Sequence, residues 1–255
     1  MDQYCNPVDK ADYGRNIQDI LDVFRKIHAG EIENDLSLLN YYKGIPINYP
    51  ASVLGIDHEF VEFETHAYQA VAIDCDKSTF IKSGHFRHEI LAEAFYVRVP
   101  EREVSLKNFL YTKVLAENRN FVRVALQEKR EIEVDYAGRL IRGNLVDICL
   151  KSAAIDLPRD CPVRPGTISR LRLTLPMGPD TPDLALDVLA SASKSWPEGD
   201  LSRCVFDLQG DSVGEGRIAR FIGHRQTEIV AEIREAFWAM EAKAGSRTDD
   251  QDEKP

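Results

Sequence analysis

The first hydrophobic pattern in the chain is that of an amphipathic helix. Between residues 16 and 28, apolar side chains recur at spacings of three and four: Ile17, Ile20, Leu21, Phe24 and Ile27. This spacing places them on one face of a helix, and Gly30 is a suitable stop. A second short helical segment is expected to hold Leu36, Leu39 and Tyr42 before the chain reaches Gly44.

The period then changes to one typical of β-strands. Short apolar segments separated by turn-forming or charged residues predict strands at 53–54, 60–63, 68–73 and 90–99. Residues 105–116 are expected to form a connector. This first part of the chain is therefore predicted to be an antiparallel sheet or small barrel behind a leading helix.

A second set of strand-like segments follows the connector. It comprises residues 121–126, 130–136, 139–148, 152–157, 168–175, 184–192 and 203–208. Apolar and polar residues alternate cleanly in several of them, so each strand should have one buried and one solvated face. Residues 136–139 are expected to form a hairpin turn around Gly138. Many short strands at close spacing predict a closed barrel.

The last pattern is a long helix from about residue 214 to 242. Its apolar stripe is Ile218, Phe221, Ile222, Ile229, Val230, Ile233, Phe237 and Met240. A helix of about 40 Å is longer than one small barrel needs as a cover. The excess is expected to pack on the N-terminal domain or on a second copy of the chain, which would make a homo-oligomer. Residues 243–255 are expected to form a disordered acidic tail.

Composition places the chain among globular proteins. It has 255 residues, of which 44% are hydrophobic and 29% are charged. No run approaches the roughly 18 apolar residues that span a bilayer, and the first residues lack the pattern of a signal peptide. We therefore expect a cytoplasmic protein, and we interpret its five scattered cysteines as reduced thiols.

Charge is distributed unevenly along the chain. The net charge is −10, yet residues 113–172 hold 12 basic and 8 acidic groups, whereas the flanking parts each sum to −7. A basic island in an acidic chain attracts a small anion locally, while the acidic remainder repels duplex nucleic acid. The alternative is that these basic residues alternate with acidic ones on solvated strand faces.

Motifs for catalysis or metal binding are weak. The pair His85 and His88 has no carboxylate at helical ligand spacing, so a polar loop is the better interpretation. The chain contains no phosphate-binding loop, dinucleotide turn or nucleophile elbow. Residues 210–216 are interpreted as a turn and helix N-cap. We expect no enzyme, no metal and no cofactor.

Two short segments carry the clearest candidate chemistry. Arg119 and Arg123 form an Arg-x-x-x-Arg motif where the connector enters the second set of strands, and Asp147 opens the segment 147–152 one hairpin later. Guanidinium groups bind phosphate oxygens bidentately or pair with O6 and N7 of guanine. A carboxylate can accept hydrogen bonds from a guanine edge.

These segments resemble the PilZ domain family, which are receptors for the bacterial second messenger cyclic di-GMP. The family pattern is Arg-x-x-x-Arg followed by Asp/Asn-x-Ser-x-x-Gly, and Arg119, Arg123 and Asp147 match it. Cys149 stands where Ser is usual and Ser152 where Gly is usual. Asn118 occupies the position where receptors commonly carry a further Arg.

The resemblance covers about residues 115–240, and residues 15–112 are more faintly similar to the N-terminal barrel of two-domain flagellar-brake proteins. It implies a mainly β protein with two small antiparallel barrels. A split-barrel domain with the leading helix would span 1–113, and a PilZ domain with the closing helix would span 114–242. Cyclic di-GMP would bind at Asn118, Arg119, Arg123, Asp147, Cys149 and Ser152.

The resemblance also implies an output. Nucleotide binding at the linker would control motility, biofilm formation, secretion or exopolysaccharide machinery through a protein partner, such as a flagellar motor, secretion or polysaccharide synthase component. The alternative is a degenerate module that no longer binds nucleotide and acts as a constitutive interaction protein. The individual residues also have structural interpretations: pairing of the arginines with Glu117 or Glu128, backbone bonding by Asp147, and a buried filler role for Cys149.

Overall fold

The structure is a computed structural model that describes residues 5–7, 13–114, 121–178 and 181–249. The described residues form two compact units. One comprises the residues before 121 together with those from 229 onward, and the other comprises residues 121–228.

The first unit contains a closed antiparallel barrel of six strands. Around the ring the order is β7, β4, β3, β2, β5 and β6, with β6 pairing back to β7, and β1 is added to β7 as a short seventh strand. The elements are β1 (Cys5–Pro7), α1 (Tyr13–His28), β2 (Ser37–Tyr42), β3 (Ile45–Asp57), β4 (Phe60–Thr65), α2 (Ala67–Asp76), β5 (Ser78–Lys82), β6 (Glu89–Arg98) and β7 (Glu103–Val114).

The leading helix is confirmed, and its apolar stripe is buried as the spacing predicts. Ile20 and Phe24 have no exposed surface. The Phe24 ring lies 5.4 Å from those of Phe63 and Phe86, and 5.5 Å from that of Phe109. Edge-to-face contacts of this kind add to the apolar area buried, so α1 is fixed by one aromatic cluster.

Three predictions in this unit are wrong. The segment around Leu36, Leu39 and Tyr42, expected to be helical, is mostly β2, which spans Ser37–Tyr42. Residues 68–73, expected to be a strand, lie in α2, and the expected connector at 105–116 is largely the long strand β7. In α2 both helix ends are fixed by caps. His66 accepts a hydrogen bond from the Tyr68 N–H, and Lys77 adopts a left-handed conformation with φ 56°.

The second unit contains a closed six-stranded antiparallel barrel, in the order β10, β13, β12, β11, β8 and β9. Its elements are β8 (Val124–Tyr136), β9 (Arg139–Ile148), β10 (Ser152–Pro158), β11 (Ile168–Leu175), β12 (Leu184–Glu198), β13 (Leu201–Gln209) and α3 (Ser212–Asp249). The prediction of two small antiparallel barrels with an N-terminal and a long C-terminal helix is confirmed.

Strand β8 corrects the prediction of two separate strands at 121–126 and 130–136. It is one strand whose pairing with β9 shifts register between Ala125 and Arg130. The extra residues bulge out of the ladder and interrupt the alternation of buried and exposed positions, so the sequence pattern resembles two strands separated by a turn. The predicted hairpin turn is confirmed, since Ala137 and Gly138 both have positive φ, the geometry of a two-residue hairpin loop.

The final helix begins where the sequence predicts an N-cap. The Asp211 carboxylate accepts a hydrogen bond from the Gly214 N–H at 2.7 Å. Ile218 and Phe221 pack into the barrel core, whereas Val230, which the predicted stripe includes, is 45% exposed. The helix continues to Asp249, beyond the predicted end at 242. None of the helices in the described ranges combines the length and the apolar character needed to cross a membrane.

Candidate functional site

Arg123 and Asp147 meet at one end of the second barrel, here called the motif end, where β8 begins and β9 finishes. Arg123 directly precedes β8, and Asp147 pairs in register with Ala125 on that strand. The Arg123 Nε lies 3.5 Å from the Asp147 Oδ1, and the two side chains are 28% and 21% exposed. The barrel thus joins the two halves of the predicted motif in a partly solvated ion pair.

The remaining predicted site residues divide into two groups. Cys149 and Ser152 lie in the hairpin between β9 and β10. Asn118 and Arg119 lie outside the described residues, as does Glu117, the alternative partner considered for the arginines. The other alternative partner, Glu128, lies 3.3 Å from Arg130.

The hairpin holds Cys149 inside the protein. The Cys149 N–H donates to the Ser152 carbonyl at 2.8 Å, and the Cys149 Sγ lies 3.1 Å from the Ser152 Oγ. Cys149 is only 6% exposed, which agrees with its interpretation as a buried filler. Ser152 is not among the described residues with positive φ, so its side chain causes no left-handed backbone strain where the family has Gly.

The tip of this hairpin is anchored to the final helix. The Lys151 ammonium pairs with the Glu215 carboxylate in the first turns of α3, and the Leu208 N–H donates to the Lys151 carbonyl at 2.8 Å. These contacts fix both the side chain and the backbone of the tip. Asp147 on β9 and Ser152 at the start of β10 therefore flank a braced loop.

Sequence reasoning missed a second charged pair on the same barrel. The Arg203 guanidinium donates to both Asp156 oxygens, at 2.8 and 2.9 Å, across the β10–β13 pairing. The hydrogen bond to Asp156 raises the pKa of Arg203, and the charge of Asp147 adds to this effect. Trp196 lies opposite Arg203 in the β12–β13 register and is 40% exposed.

Alternation along β13 could have indicated that Arg203 faces outward, because Cys204 and Phe206 are core residues. Its contact with Asp156 depends on the pairing of β10 with β13, which the sequence does not reveal. At the motif end itself the described residues combine the guanidinium of Arg123 with the carboxylate of Asp147, groups that can recognise a phosphate and a guanine edge.

Much of the basic island is neutralised on the strand faces. Arg142 lies 3.6 Å from Glu131, Arg170 lies 2.5 Å from Asp187, and Arg172 lies 3.6 Å from Asp135. These pairs match the alternative interpretation of the island as solvated alternating charge. The net positive charge of residues 113–172 is therefore weaker evidence for an anion-binding site than the local geometry at Arg123.

The histidine pair in the first unit has a structural setting. The His85 Nε2 lies 2.9 Å from the Glu33 carbonyl, and the His88 ring lies beside that of Tyr111. Among the described residues, no cluster of three or more His, Cys, Asp or Glu side chains could hold a metal ion. A cavity of about 560 Å³ nearby is lined by residues of both charges, including Asp35 and Lys113.

No family model and no curated protein matches the chain. Among solved structures it is similar to the Bacillus subtilis inhibitor of motility MotI/DgrA, with 11% identity, 76% of this chain and 95% of that chain covered, and a TM-score of 0.42. It is also similar to YcgR from Escherichia coli in complex with c-di-GMP, with 13% identity, 92% and 98% coverage, and a TM-score of 0.41.

A third similar structure is the PilZ domain of Escherichia coli YcgR with c-di-GMP, with 14% identity, 51% of this chain and 97% of that chain covered, and a TM-score of 0.32. All three TM-scores lie below 0.5, so these structures add nothing to an assignment of function from the chain's own residues.

Proposed function

We propose that this chain is a PilZ-type receptor for cyclic di-GMP, with the nucleotide held at the motif end by Arg119, Arg123 and Asp147. The observation that carries the proposal is the 3.5 Å approach of Arg123 to Asp147, which joins two motif halves that are separate in sequence. Both side chains keep some exposure, so a ligand from solvent can reach them.

The available donors suit a phosphodiester or a guanine edge. The Arg123 Nε is shielded from solvent and has no hydrogen-bond acceptor among the described residues. Asp147 holds the guanidinium by charge without forming a bidentate pair. An incoming phosphate oxygen or guanine acceptor can therefore bind the fork while Asp147 stays close enough to accept from a guanine N–H.

The departures from the family pattern are compatible with binding. A hydroxyl remains next to position 149, because the Ser152 Oγ lies 3.1 Å from the Cys149 Sγ. The loss of the usual Ser and Gly would then weaken the site by about the value of one or two hydrogen bonds, on the order of 1–2 kcal/mol or about fivefold to thirtyfold in Kd. Such a loss does not abolish a tight site.

The proposed output is that of an adaptor. In the sequence, Arg119 and Arg123 lie on either side of the first point at which the chain passes from one unit to the other, so a ligand held by both would restrain that segment. The partner would be a component of a flagellar motor, a secretion complex or a polysaccharide synthase. Identical X-ray scattering profiles with and without saturating nucleotide would refute a ligand-dependent change in domain arrangement.

A second candidate function is a module that no longer binds nucleotide and acts through protein contacts alone. The burial of Cys149 favours it, since that position no longer presents a polar group to a ligand. The exposed side chains of Val230 and Trp238 on α3, at 45% and 58%, also favour it as an interaction surface.

Titration calorimetry of the full chain with cyclic di-GMP separates the two candidates. We expect saturable binding that Arg123→Ala weakens by at least about tenfold, the value of one charged hydrogen bond. Arg139→Ala removes an exposed arginine of the same barrel at the β8–β9 turn and should leave Kd unchanged. Absence of heat with the unaltered chain up to high micromolar nucleotide would refute the receptor and favour the second candidate.

A further inference from the structure

A separate polar cavity lies between the β8 bulge and α3. It has a volume of about 170 Å³ and belongs entirely to the second unit. Leu126 and Arg130 line it from β8, Pro176 and Gly178 from the segment after β11, and Phe221 and Arg225 from α3. Neither arginine belongs to the nucleotide motif.

Arg225 is a buried guanidinium with unmet hydrogen-bonding capacity. The residue is 8% exposed, and its Nη1 pairs with the Glu228 carboxylate. Its Nη2 is shielded from solvent and has no hydrogen-bond acceptor among the described residues. A buried donor of this kind costs stability unless an acceptor occupies the space in front of it.

Arg130 presents a second shielded donor to the same cavity. Its Nε is buried without an acceptor among the described residues, while its Nη2 lies 3.3 Å from Glu128. Two guanidinium groups from different elements thus line one small space, and each has an N–H without an acceptor in the part of the chain that the structure describes.

The carboxylates at this cavity are already engaged. Glu228 pairs with Arg225 and lies 3.1 Å from the His224 Nε2, and the Glu128 side chain is 79% exposed. Neither carboxylate accepts from the two shielded donors. Among the described residues, therefore, nothing supplies the acceptor that these two donors lack, and an anion from solvent could supply it.

We propose that this cavity binds a small tetrahedral oxyanion, inorganic phosphate or sulfate, held by Arg130 and Arg225. Its volume lies well below the several hundred Å³ typical of organic-ligand pockets, which excludes a whole nucleotide. Four oxygens on one ion can accept from both guanidinium groups at once, and charge-assisted bonds of this type are stronger than those to water. The ion would tie α3 to β8 through the two arginines.

Thermal unfolding of the full chain in phosphate and in chloride at matched ionic strength tests the site. With a Kd near 1 mM, about 50 mM phosphate is expected to raise Tm by several degrees over chloride. Arg130→Gln should abolish most of this difference. Arg139 is an exposed arginine of the same barrel outside the cavity, so Arg139→Gln should retain the Tm difference between phosphate and chloride. This variant is the control for general stabilisation by excluded salts.

Line broadening of the phosphorus resonance of inorganic phosphate gives a second readout that does not depend on unfolding. Broadening by the unaltered chain and by Arg139→Gln, but not by Arg130→Gln, supports the site. An equal phosphate effect in all three proteins, or no effect in any, would overturn it. A Tm shift produced by phosphoserine but not by phosphate would also overturn the free-ion assignment.

Discussion

We predict that the Arg203–Asp156 pair contributes more to the free energy of unfolding than any exposed ion pair of the same barrel. Both hydrogen bonds have normal lengths, 2.8 and 2.9 Å, and the side chains are only 26% and 15% exposed. A partly buried bidentate arginine–carboxylate pair has little conformational freedom left to lose and is weakly screened by salt.

The magnitude follows from removing one partner at a time. Arg203→Gln or Asp156→Asn should each reduce the free energy of unfolding by about 1.5–3 kcal/mol, because each change leaves a partly buried charge without its partner. In a double-mutant cycle the coupling energy should be about 1–2 kcal/mol. Its dependence on salt should be slight.

The Arg170–Asp187 pair is the matched control. It also joins neighbouring strands of the barrel, and its 2.5 Å separation is shorter than either bond of the Arg203 pair. Its side chains are 54% and 49% exposed, so solvent screening should remove most of its coupling. Distance alone would rank the two pairs in the opposite order.

The assay is urea unfolding followed by tryptophan fluorescence in a Trp238→Phe protein, which leaves Trp196 in the second unit as the reporter. Equal coupling energies for the two pairs would refute the reasoning, as would a larger value for Arg170–Asp187. Either result would mean that burial does not decide the strength of these ion pairs.

Two further predictions concern other parts of the molecule. Burial, together with the charge of Arg102, lowers the pKa of His66. The unfolded chain therefore binds the proton first, and the free energy of unfolding should fall slightly as pH drops below about 6.5. In urea unfolding at a series of pH values, His66→Asn should reduce this pH dependence. A Cβ at Gly143 would lie 2.6 Å from the Asp156 carbonyl oxygen, so Gly143→Ala should destabilise the second unit by at least about 2 kcal/mol in chemical denaturation.

The strands of the second barrel were the most predictable part of the fold. In β11, Leu171, Leu173 and Leu175 alternate with polar residues, and all three are core residues. A period of two over eight residues has few alternative structures. The same alternation places charged residues outward, which explains why the sequence could indicate a solvated barrel surface.

Short apolar runs in the first unit were ambiguous. Residues 67–76 lie in a helix with six buried side chains, so neither helical nor strand periodicity is visible in them. In β7, Asn108 adopts φ 56°, and the β6–β7 register shifts beside it, which breaks the alternation that would have identified the strand. Tertiary packing decides both elements.

The candidate site was predictable only where it is local. Arg123 and Asp147 belong to short motifs joined by one hairpin, so spacing along the chain brought them together. Arg203 meets Asp156 through strands that are distant in sequence, and Arg225 reaches its cavity through α3. Contacts of that kind depend on ring order, which no local pattern encodes.

Closure of the second barrel determines how a protein partner could recognise it. Every strand of that ring has a hydrogen-bonded neighbour on both sides, so its described strands present no open edge for a partner strand to extend. A partner of this unit must instead recognise side chains on the barrel surface or on α3. Selectivity would therefore reside in exposed charges and aromatic rings, which can change by single substitutions without altering the barrel beneath them.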